Sequence, residues 1–209
     1  MGISKIEPGF NDYRGHFGLL IFIDSCNFDC PHCYNKDYIN NHRNSVDISD
    51  VYKEMESGLY DAVILTGGEC TTDEDTVLEI TKYARFLNMK VKLFTNGSTK
   101  SGYKFLEDMI NKKLIDMVSL DVKVRPNEKD FNKCRKVIGN LSDKEINEYL
   151  MFLRKTINLI SLEDIDYELR LMTIPGVIDS DEVLEYFRES TGYRDNEEKI
   201  VFNKFKNKM

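Results

Sequence analysis

The amino-acid sequence predicts an α/β fold built around a parallel β-sheet. Short apolar runs alternate with segments whose apolar residues recur at helical spacing, and this alternation continues along most of the chain. Six of the runs have the length of a β-strand, and the connections between them are long enough to contain helices. Strands joined in this way pair in parallel through right-handed crossovers. At 209 residues the chain is expected to form one domain.

The six predicted strands are bounded by polar or glycine-containing segments. They comprise residues 18–23, 61–65, 91–95, 116–122, 167–172 and 199–203. Apolar stripes predict helices that contain residues 48–59, 77–87, 106–114, 146–157 and 181–188. Thr71 and Glu74 have the spacing of a capping box at the start of the second helix. Ser142 and Glu145 have the same spacing before the fourth helix. The segment 125–140 interrupts the alternation and is predicted to be a charged loop.

Composition limits the classes of function. With 41% hydrophobic and 31% charged residues, the chain is expected to be globular rather than disordered. Its formal net charge of −7, without a dominant basic run, argues against nucleic acid as the main partner. No apolar run has the length of a membrane span, and residues 1–10 lack the apolar core of a signal peptide. Five cysteines without a secretory signal predict a reducing, cytoplasmic compartment.

Three cysteines follow the first predicted strand at CxxxCxxC spacing. They are Cys26, Cys30 and Cys33, and they lie at the carboxyl end of that strand, where α/β barrels place their active sites. Three thiolates so close on one loop indicate a metal ion or a cluster. A structural zinc site and an ordinary iron–sulfur cluster each use four ligands, so three cysteines leave one position open. A zinc-binding loop and a disulfide loop are the alternatives.

This cysteine spacing after an early strand, with His32 directly before the third cysteine, resembles the radical S-adenosylmethionine (SAM) superfamily. The resemblance implies a partial (β/α)6 barrel with a parallel sheet, formed as one domain by residues 1–209. It also implies that Cys26, Cys30 and Cys33 hold a catalytic [4Fe–4S] cluster, with His32 beside the cofactors. The fourth iron of such a cluster binds the amino and carboxylate groups of SAM, so the cluster and SAM are the expected cofactors.

A glycine-rich turn, Thr66-Gly67-Gly68-Glu69, follows the second predicted strand. Two glycines allow the backbone to approach a ligand closely, although such a turn also occurs as an ordinary strand-to-helix connection. In radical SAM proteins a Gly-Gly-Glu element at this position contacts the SAM amino group, and the resemblance extends that role to Gly67, Gly68 and Glu69. The family usually continues with proline. This chain has Cys70 there, either a buried spectator or a neighbour of the cluster.

Two later strands carry polar residues on one face. Ser119, Asp121 and Lys123 share a face of the fourth strand, and a charged inner face of a barrel must line a cavity. An edge strand with a solvated face is the alternative. Asp121 and Lys123 resemble the Asp-x-Lys pair of glycyl-radical activating enzymes, in which both residues contact SAM. Arg170 in the fifth strand resembles a family arginine and would hold the SAM carboxylate or a partner's backbone, or else form a structural ion pair with Glu168.

Other segments resemble the activating-enzyme branch or depart from it. Asn96, after the third strand, is similar to an asparagine beside SAM in glycyl-radical activating enzymes, although Asn-Gly is also a generic turn. The segment Gly9–Gly15 resembles the lead-in of anaerobic (class III) ribonucleotide reductase activating enzymes, with Arg14 in place of proline. No histidine follows His42, so the late histidine of some activases has no counterpart. Cys134, in the predicted charged loop, is expected to be incidental.

Together these features predict a radical SAM oxidoreductase. The enzyme would reductively cleave SAM to methionine and a 5′-deoxyadenosyl radical, and would generate a glycyl radical on anaerobic ribonucleoside-triphosphate reductase. The sequence has no second cysteine cluster, so flavodoxin or ferredoxin is the expected electron donor. A radical SAM enzyme acting on a small molecule, such as 7-carboxy-7-deazaguanine synthase, is one alternative. A zinc-binding interaction module is the alternative outside enzymes.

Replacing any one cysteine of the CxxxCxxC loop by alanine is expected to abolish SAM cleavage. A cluster cannot be retained in its reactive form when one of its three protein ligands is lost. Anaerobic reconstitution of Cys30→Ala, followed by chromatographic measurement of methionine and 5′-deoxyadenosine, tests this expectation. Cys134→Ala is the control and should retain cleavage. Full cleavage of SAM by Cys30→Ala would contradict the cluster assignment.

Overall fold

The computed structural model of the protein describes residues 2–39, 45–190 and 199–204. Strands and helices alternate through these ranges, as the sequence predicts. The strands are β1 (Ile3–Gly9), β2 (Gly18–Ile23), β3 (Ala62–Gly67), β4 (Lys90–Thr95), β5 (Met117–Val122), β6 (Asp166–Thr173) and β7 (Ile200–Lys204). The α-helices are α1 (Ile48–Met55), α2 (Glu74–Phe86), α3 (Lys100–Asn111), α4 (Phe131–Ile138), α5 (Asp143–Leu162) and α6 (Ser180–Ser190). A 3₁₀ turn, Cys70–Thr72, lies between β3 and α2.

All the described strands form one sheet in chain order, from β1 to β7. β1 is antiparallel to β2, and each later pair of neighbours is parallel. Within the described ranges β1 and β7 do not pair with each other, so the sheet stays open. The predicted α/β fold is therefore confirmed. The six predicted strands correspond to β2–β7, and the open parallel sheet is that of a partial barrel.

The sequence analysis did not predict β1, because charged residues and a proline interrupt its apolar positions. Lys5, Glu7 and Pro8 lie within this strand. An edge strand tolerates proline because one side of its backbone needs no ladder partner. β1 pairs with β2 so that Glu7 lies opposite Leu20. This strand extends one edge of the sheet and adds a carboxylate to the inner face.

The sheet separates two groups of buried apolar residues. The larger group lies between the sheet and the helices and includes Leu19 and Ile21 of β2. The smaller group includes Leu20 and Phe22 of the same strand together with Ile64 of β3. Alternate residues of a strand point to opposite faces, so the smaller group lies inside the barrel. Burial on both faces explains why β2 is a continuous apolar run in the sequence.

The prediction of a charged loop over residues 125–140 is wrong in its second half, which forms α4. Asp130 caps this helix by accepting hydrogen bonds from the backbone N–H groups of Asn132 and Lys133, at 2.9 and 3.2 Å. Its buried residues are Cys134, Val137 and Ile138. Their spacing is that of one helix face, but the helix is short and contains as many charged residues as buried ones, so its apolar periodicity is a weak signal. Cys134 is accordingly a core residue rather than a loop residue.

The capping box predicted for Thr71 and Glu74 is also wrong. α2 begins after Asp73, whose side chain makes no capping hydrogen bond. Thr71 lies in the preceding 3₁₀ turn and donates its hydroxyl hydrogen bond to Glu69 at 2.7 Å. Glu69 caps the 3₁₀ turn by accepting from the Thr71 N–H at 3.2 Å, so Thr71 pairs with a residue before it in the chain and not with Glu74.

The second predicted capping box is confirmed at the start of α5. The Glu145 N–H donates to the Ser142 hydroxyl at 3.3 Å, and the Ser142 N–H donates to the Glu145 carboxylate at 2.8 Å. α5 extends over 20 residues and buries Tyr149 and Leu153 against the sheet. Among the described residues, no helix combines the length and the apolar character needed to cross a bilayer.

Candidate active site

The carboxyl ends of the parallel strands surround a cavity of about 730 Å³. Every site residue predicted from the sequence lines this cavity. These residues are Cys26, Cys30, His32, Cys33, Gly67, Gly68, Glu69, Asn96, Asp121, Lys123 and Arg170. They come from five different strand ends or loops, and the parallel topology brings those ends to one side of the sheet. A cavity of this size accommodates a ligand as large as a nucleoside derivative.

The cysteine loop places three thiols at one end of the cavity. Cys26, Cys30 and Cys33 are free and half-buried, so the described structure does not contain the disulfide loop considered above. Phe28 anchors the loop by packing edge-on against Tyr149, with ring centroids 5.1 Å apart. The Phe28 N–H also donates to the Cys26 sulfur at 3.5 Å. Burial raises the pKa of Cys26 to about 12 and raises the pKa of Cys30.

The three thiol groups are chemically suited to bind an iron–sulfur cluster. Sulfur ligands that open onto a sheltered cavity suit soft metal centres, and binding would remove the thiol protons that burial otherwise retains. In the part of the chain that the structure describes, no three cysteine, histidine or carboxylate side chains meet closely enough to hold a single metal ion. A cluster does not require such an arrangement, because each cysteine binds a different iron atom.

The two glycines after β3 lie against the cysteine loop. The Gly68 N–H donates to the Ile23 carbonyl at 2.8 Å, and the Glu69 N–H donates to the Ser25 carbonyl at 2.8 Å. A Cβ atom added to Gly68 would lie 2.0 Å from the Ser25 carbonyl oxygen, and one added to Gly67 would lie 2.6 Å from the Ile23 backbone. Gly67 also has a φ of +106°. The sequence suggested a close approach to a ligand, and the structure adds an equally close approach to the cysteine loop.

Glu69 is turned into the protein and is only 1% exposed. Its carboxylate accepts hydrogen bonds from the hydroxyl groups of Thr71 and Thr95, both at 2.7 Å, and from the backbone N–H groups of Thr71 and Asn96, at 3.2 and 2.6 Å. Burial raises the pKa of Glu69, and the hydrogen bonds oppose this shift. The side chain thus joins the ends of β3 and β4. Cys70, next to it, is fully buried and its thiol points to the Thr66 carbonyl oxygen at 3.5 Å.

Side-chain amides tie the cysteine loop to the neighbouring strand ends. The Asn96 amide donates to Asn27 at 3.0 Å and accepts from the Ser98 N–H at 3.0 Å. Asn27 in turn donates to the Ser98 hydroxyl at 2.7 Å. Asn35 donates to the Gly67 carbonyl at 2.6 Å. Neither Asn27 nor Asn35 was among the site residues predicted from the sequence.

Charged residues in or directly after β5 and β6 form another part of the cavity lining. Lys123 lies 3.2 Å from Asp121, and the Arg170 guanidinium lies 3.6 Å from both Asp121 and Glu168. The guanidinium also stacks over the Phe94 ring at 5.0 Å. β5 is an interior strand of the sheet, so the alternative of a solvated edge strand is wrong. Burial is the largest single influence on the pKa of Lys123 and lowers it, but Asp121, Cys30 and Tyr149 together raise the pKa above its usual value.

A buried lysine inside the barrel was missed by the sequence analysis. Lys92 of β4 is 2% exposed, and its ammonium donates to the Asp12 carbonyl at 2.6 Å and to Glu168 at 2.8 Å. The Tyr13 and Phe94 rings lie 5.7 and 5.0 Å from the same ammonium. Lys92 lies in the predicted strand 91–95. Because side chains alternate between the two faces of a strand, its position in that strand could have identified it as an inward-facing residue.

Comparison with known proteins agrees with the geometry. Residues 20–159 match the family model described as Radical SAM superfamily. A protein of Methanocaldococcus jannaschii, named putative glycyl-radical enzyme activating enzyme MJ1227, is 31% identical over 173 residues, which are 82% of this chain and 68% of that protein. Two solved structures share the fold. TYW1 with a lysine-pyruvate adduct bound has a TM-score of 0.55 at 15% identity, over 82% of this chain and 60% of that one. The enzyme anSMEcpe with bound AdoMet has a TM-score of 0.52 at 15% identity, over 88% of this chain and 49% of that one.

The chain therefore belongs to the Radical SAM superfamily, and its cofactors are a [4Fe–4S] cluster and SAM. The sequence relative confirms the resemblance to the activating-enzyme branch of that superfamily. This membership decides against the zinc-binding interaction module. The two solved structures support the fold alone, since this chain spans 60% and 49% of their lengths at low identity.

Gly68→Ala is expected to lower cluster content, because the new methyl group would displace the Ser25 carbonyl and with it the cysteine loop. Backbone displacement of this kind costs about 1–3 kcal/mol. Iron and sulfide per chain after anaerobic reconstitution, with far-UV circular dichroism as a check on folding, measure the effect. Gly2→Ala is the matched control, because its added Cβ atom would find only an ordinary contact at 3.9 Å. Normal iron content in Gly68→Ala would show that the loop can move without losing the cluster.

Proposed function

We propose that this radical SAM enzyme activates a glycyl-radical enzyme, and specifically anaerobic ribonucleoside-triphosphate reductase. The observation that carries the proposal is the 31% identity to a relative named as a glycyl-radical enzyme activating enzyme. The choice of reductase has separate support in the Gly9–Gly15 segment, which resembles the lead-in of that subgroup. The Asp121 and Lys123 pair at the cavity wall agrees with the same branch.

In this proposal the cysteine loop binds the cluster, and the charged residues Asp121, Lys123 and Arg170 of the same cavity bind SAM. A reduced cluster held there would supply the electron for cleavage of SAM to methionine and a 5′-deoxyadenosyl radical, and that radical would take a hydrogen atom from a glycine of the partner. Cys26, Cys30 and Cys33 hold the cluster at one end of the cavity. Asp121 suits the ammonium group of SAM, and Lys123 suits its carboxylate.

The planar guanidinium of Arg170 lies over the Phe94 ring, with its central carbon 5.0 Å from the ring centroid. Such a group suits a carboxylate or a row of backbone carbonyl groups. We assign it to the SAM carboxylate or to the glycine-bearing segment of the partner. His32 lines the same cavity beside the cluster ligands and completes that end of the site.

Glu69 and Asn96 act through the backbone in this scheme. The Glu69 carboxylate already accepts hydrogen bonds from three neighbouring residues, and the Asn96 amide is bonded to Asn27 and Ser98. Their side chains fix the strand ends, while the backbone of Gly67 and Gly68 faces the cavity and contacts the SAM amino group.

A macromolecular substrate suits the open side of the barrel. The cavity is bordered by Glu7 of the edge strand β1 and by Phe202 of the edge strand β7, which do not pair in the described structure. A radical intermediate needs exclusion of water. A partner loop that enters between these edges would supply the closure. The remaining described cysteines, Cys70 and Cys134, are buried singly, so the electron would come from flavodoxin or ferredoxin.

A radical SAM reaction on a small molecule is the second candidate. The volume of about 730 Å³ lies within the range of small-molecule sites. Such a reaction would need the open side between β1 and β7 to close without a partner protein. The two candidates therefore differ in what completes the site rather than in the radical chemistry.

Asp121→Ala and Lys123→Ala are each expected to weaken SAM binding while leaving cluster content unchanged. Loss of one charge-assisted hydrogen bond should reduce the affinity about tenfold. Equilibrium dialysis of the reconstituted proteins with labelled SAM gives the dissociation constants, and iron analysis gives the cluster content. Asp50→Ala and Lys53→Ala are matched controls, because this exposed pair on α1, 2.7 Å apart, carries the same two charges far from the cavity. Unchanged affinity in both cavity variants would mean that the wall has a structural role.

Mixing the reduced holoenzyme, SAM and an anaerobic ribonucleoside-triphosphate reductase is expected to produce a glycyl radical. Electron paramagnetic resonance detects the radical, and a reductase whose acceptor glycine is replaced by alanine is the control. SAM cleavage without the reductase should be slow, because the open side of the barrel then admits water. Rapid turnover coupled to a small molecule, with no glycyl radical on the reductase, would refute the activating function and leave the radical SAM class intact.

A further inference from the structure

Lys92 is a buried charge that the proposed reaction does not use. It lies inside the barrel below the cavity, and its ammonium is held by the Asp12 carbonyl at 2.6 Å and the Glu168 carboxylate at 2.8 Å. Burial lowers the pKa of Lys92, and the hydrogen bond to Glu168 opposes that shift. A lysine is rarely placed at 2% exposure without a role, because removing its charge from water is costly.

Lys92 begins a line of alternating charges along the barrel wall. Its partner Glu168 also accepts a hydrogen bond from Ser119 at 2.7 Å and lies 3.6 Å from Arg170. Arg170 lies at the same distance, 3.6 Å, from Asp121 on its other side. The guanidinium is therefore placed midway between two carboxylates. Its position depends on how strongly each carboxylate attracts it.

The ammonium of Lys92 sets that balance. Bound to Lys92, Glu168 already has a close cation, so its attraction for the more distant guanidinium is partly satisfied. Without Lys92, Glu168 would be a buried carboxylate whose nearest cation is Arg170. The guanidinium would then close onto Glu168 and leave Asp121, because an unpaired buried charge is more costly than a small movement of a side chain.

We propose that Lys92 is a positioning residue for SAM binding, which holds Glu168 and thereby keeps Arg170 at Asp121 in the cavity wall. This inference rests on the proposed binding roles of Asp121 and Arg170, and it is independent of the identity of the final substrate. Lys92 does not itself line the cavity and acts only through its neighbours.

A purely structural role is the competing explanation. The contact between Lys92 and the Asp12 carbonyl also holds the loop between β1 and β2 across the barrel, where Tyr13 joins the inner apolar group. On that explanation, a loss of Lys92 would weaken SAM binding through a loosened loop. The two explanations differ in their dependence on Glu168. Only the positioning role predicts that removal of the Glu168 charge corrects the defect.

The test compares K92M with the double variant K92M/E168Q. Methionine keeps the length of the side chain and its packing against Phe94, so mainly the charge is lost. We expect SAM binding to the reconstituted K92M protein to weaken about tenfold, the scale of one charge-assisted hydrogen bond. In K92M/E168Q the glutamine has no negative charge to draw Arg170 away from Asp121, so the affinity should return to within about threefold of the wild type. The dissociation constants come from equilibrium dialysis with labelled SAM, well below the melting temperature of each protein.

Two further variants complete the design. I64A removes a fully buried side chain from the same inner apolar group without a change of charge, so it should lower the melting temperature and keep the wild-type affinity. D121A tests the binding role on which the inference rests. Weakened binding by D121A with unchanged binding by K92M would overturn the positioning role alone. Unchanged binding by D121A would overturn the proposed binding wall and the positioning role with it.

The double variant decides between the two roles of Lys92. If K92M/E168Q binds SAM as weakly as K92M, the effect passes through the Asp12 contact and the positioning role is wrong. If K92M alone does not fold, the neutral double variant carries the test by itself. Affinity near that of the wild type then supports the positioning role, and a loss as large as that of D121A overturns it.

Discussion

Four hydrogen bonds to the buried carboxylate of Glu69 organise the active side of this barrel. The donors are the hydroxyl and the N–H of Thr71, the Thr95 hydroxyl and the Asn96 N–H. These bonds join the carboxyl ends of the neighbouring strands β3 and β4. Each hydrogen bond to a charged group contributes about 1.5–3 kcal/mol when the group is buried. Without them the carboxylate would be an unpaired buried charge, so the strand ends and the carboxylate depend on each other.

The cysteine loop is held by protein contacts as well as by any metal it binds. Backbone hydrogen bonds pair Gly68 and Glu69 with the start of the loop, and Asn27 and Asn35 tie its middle and its end to adjacent strands. These contacts fix the backbone of the loop on both sides of the cysteines. The same contacts explain the two adjacent glycines, since a side chain at Gly68 would occupy the space of the Ser25 carbonyl.

The cavity combines two kinds of chemistry that suit a radical SAM enzyme. Cys26, Cys30 and Cys33 supply sulfur ligands, and alternating charges in or directly after β5 and β6 line another part of the cavity. The charges extend beyond the cavity to Lys92, which pairs with Glu168 inside the barrel. The sheet stays open between β1 and β7 in the described structure, and the substrate must be accommodated on that side. The proposed activating function and its small-molecule alternative differ in how this opening is closed.

The sequence by itself determined the parallel sheet and which residues belong to the candidate site. Apolar runs buried on both faces identify β2–β7, and strands that are parallel must bring their carboxyl ends to one side. Residues that follow those runs, such as Cys26, Gly67 and Asp121, consequently meet in one cavity. Local spacing also predicted the capping box of Ser142 and Glu145, because both partners lie within one turn.

Only the tertiary structure decided which side chains are available to the cavity and which are occupied by hydrogen bonds or ion pairs within the protein. Glu69 was predicted as a ligand contact, but partners up to 27 residues away occupy its carboxylate. Lys92 and Glu168 form a buried pair across 76 residues. Such pairs depend on the register between strands, which periodicity along one chain segment does not contain.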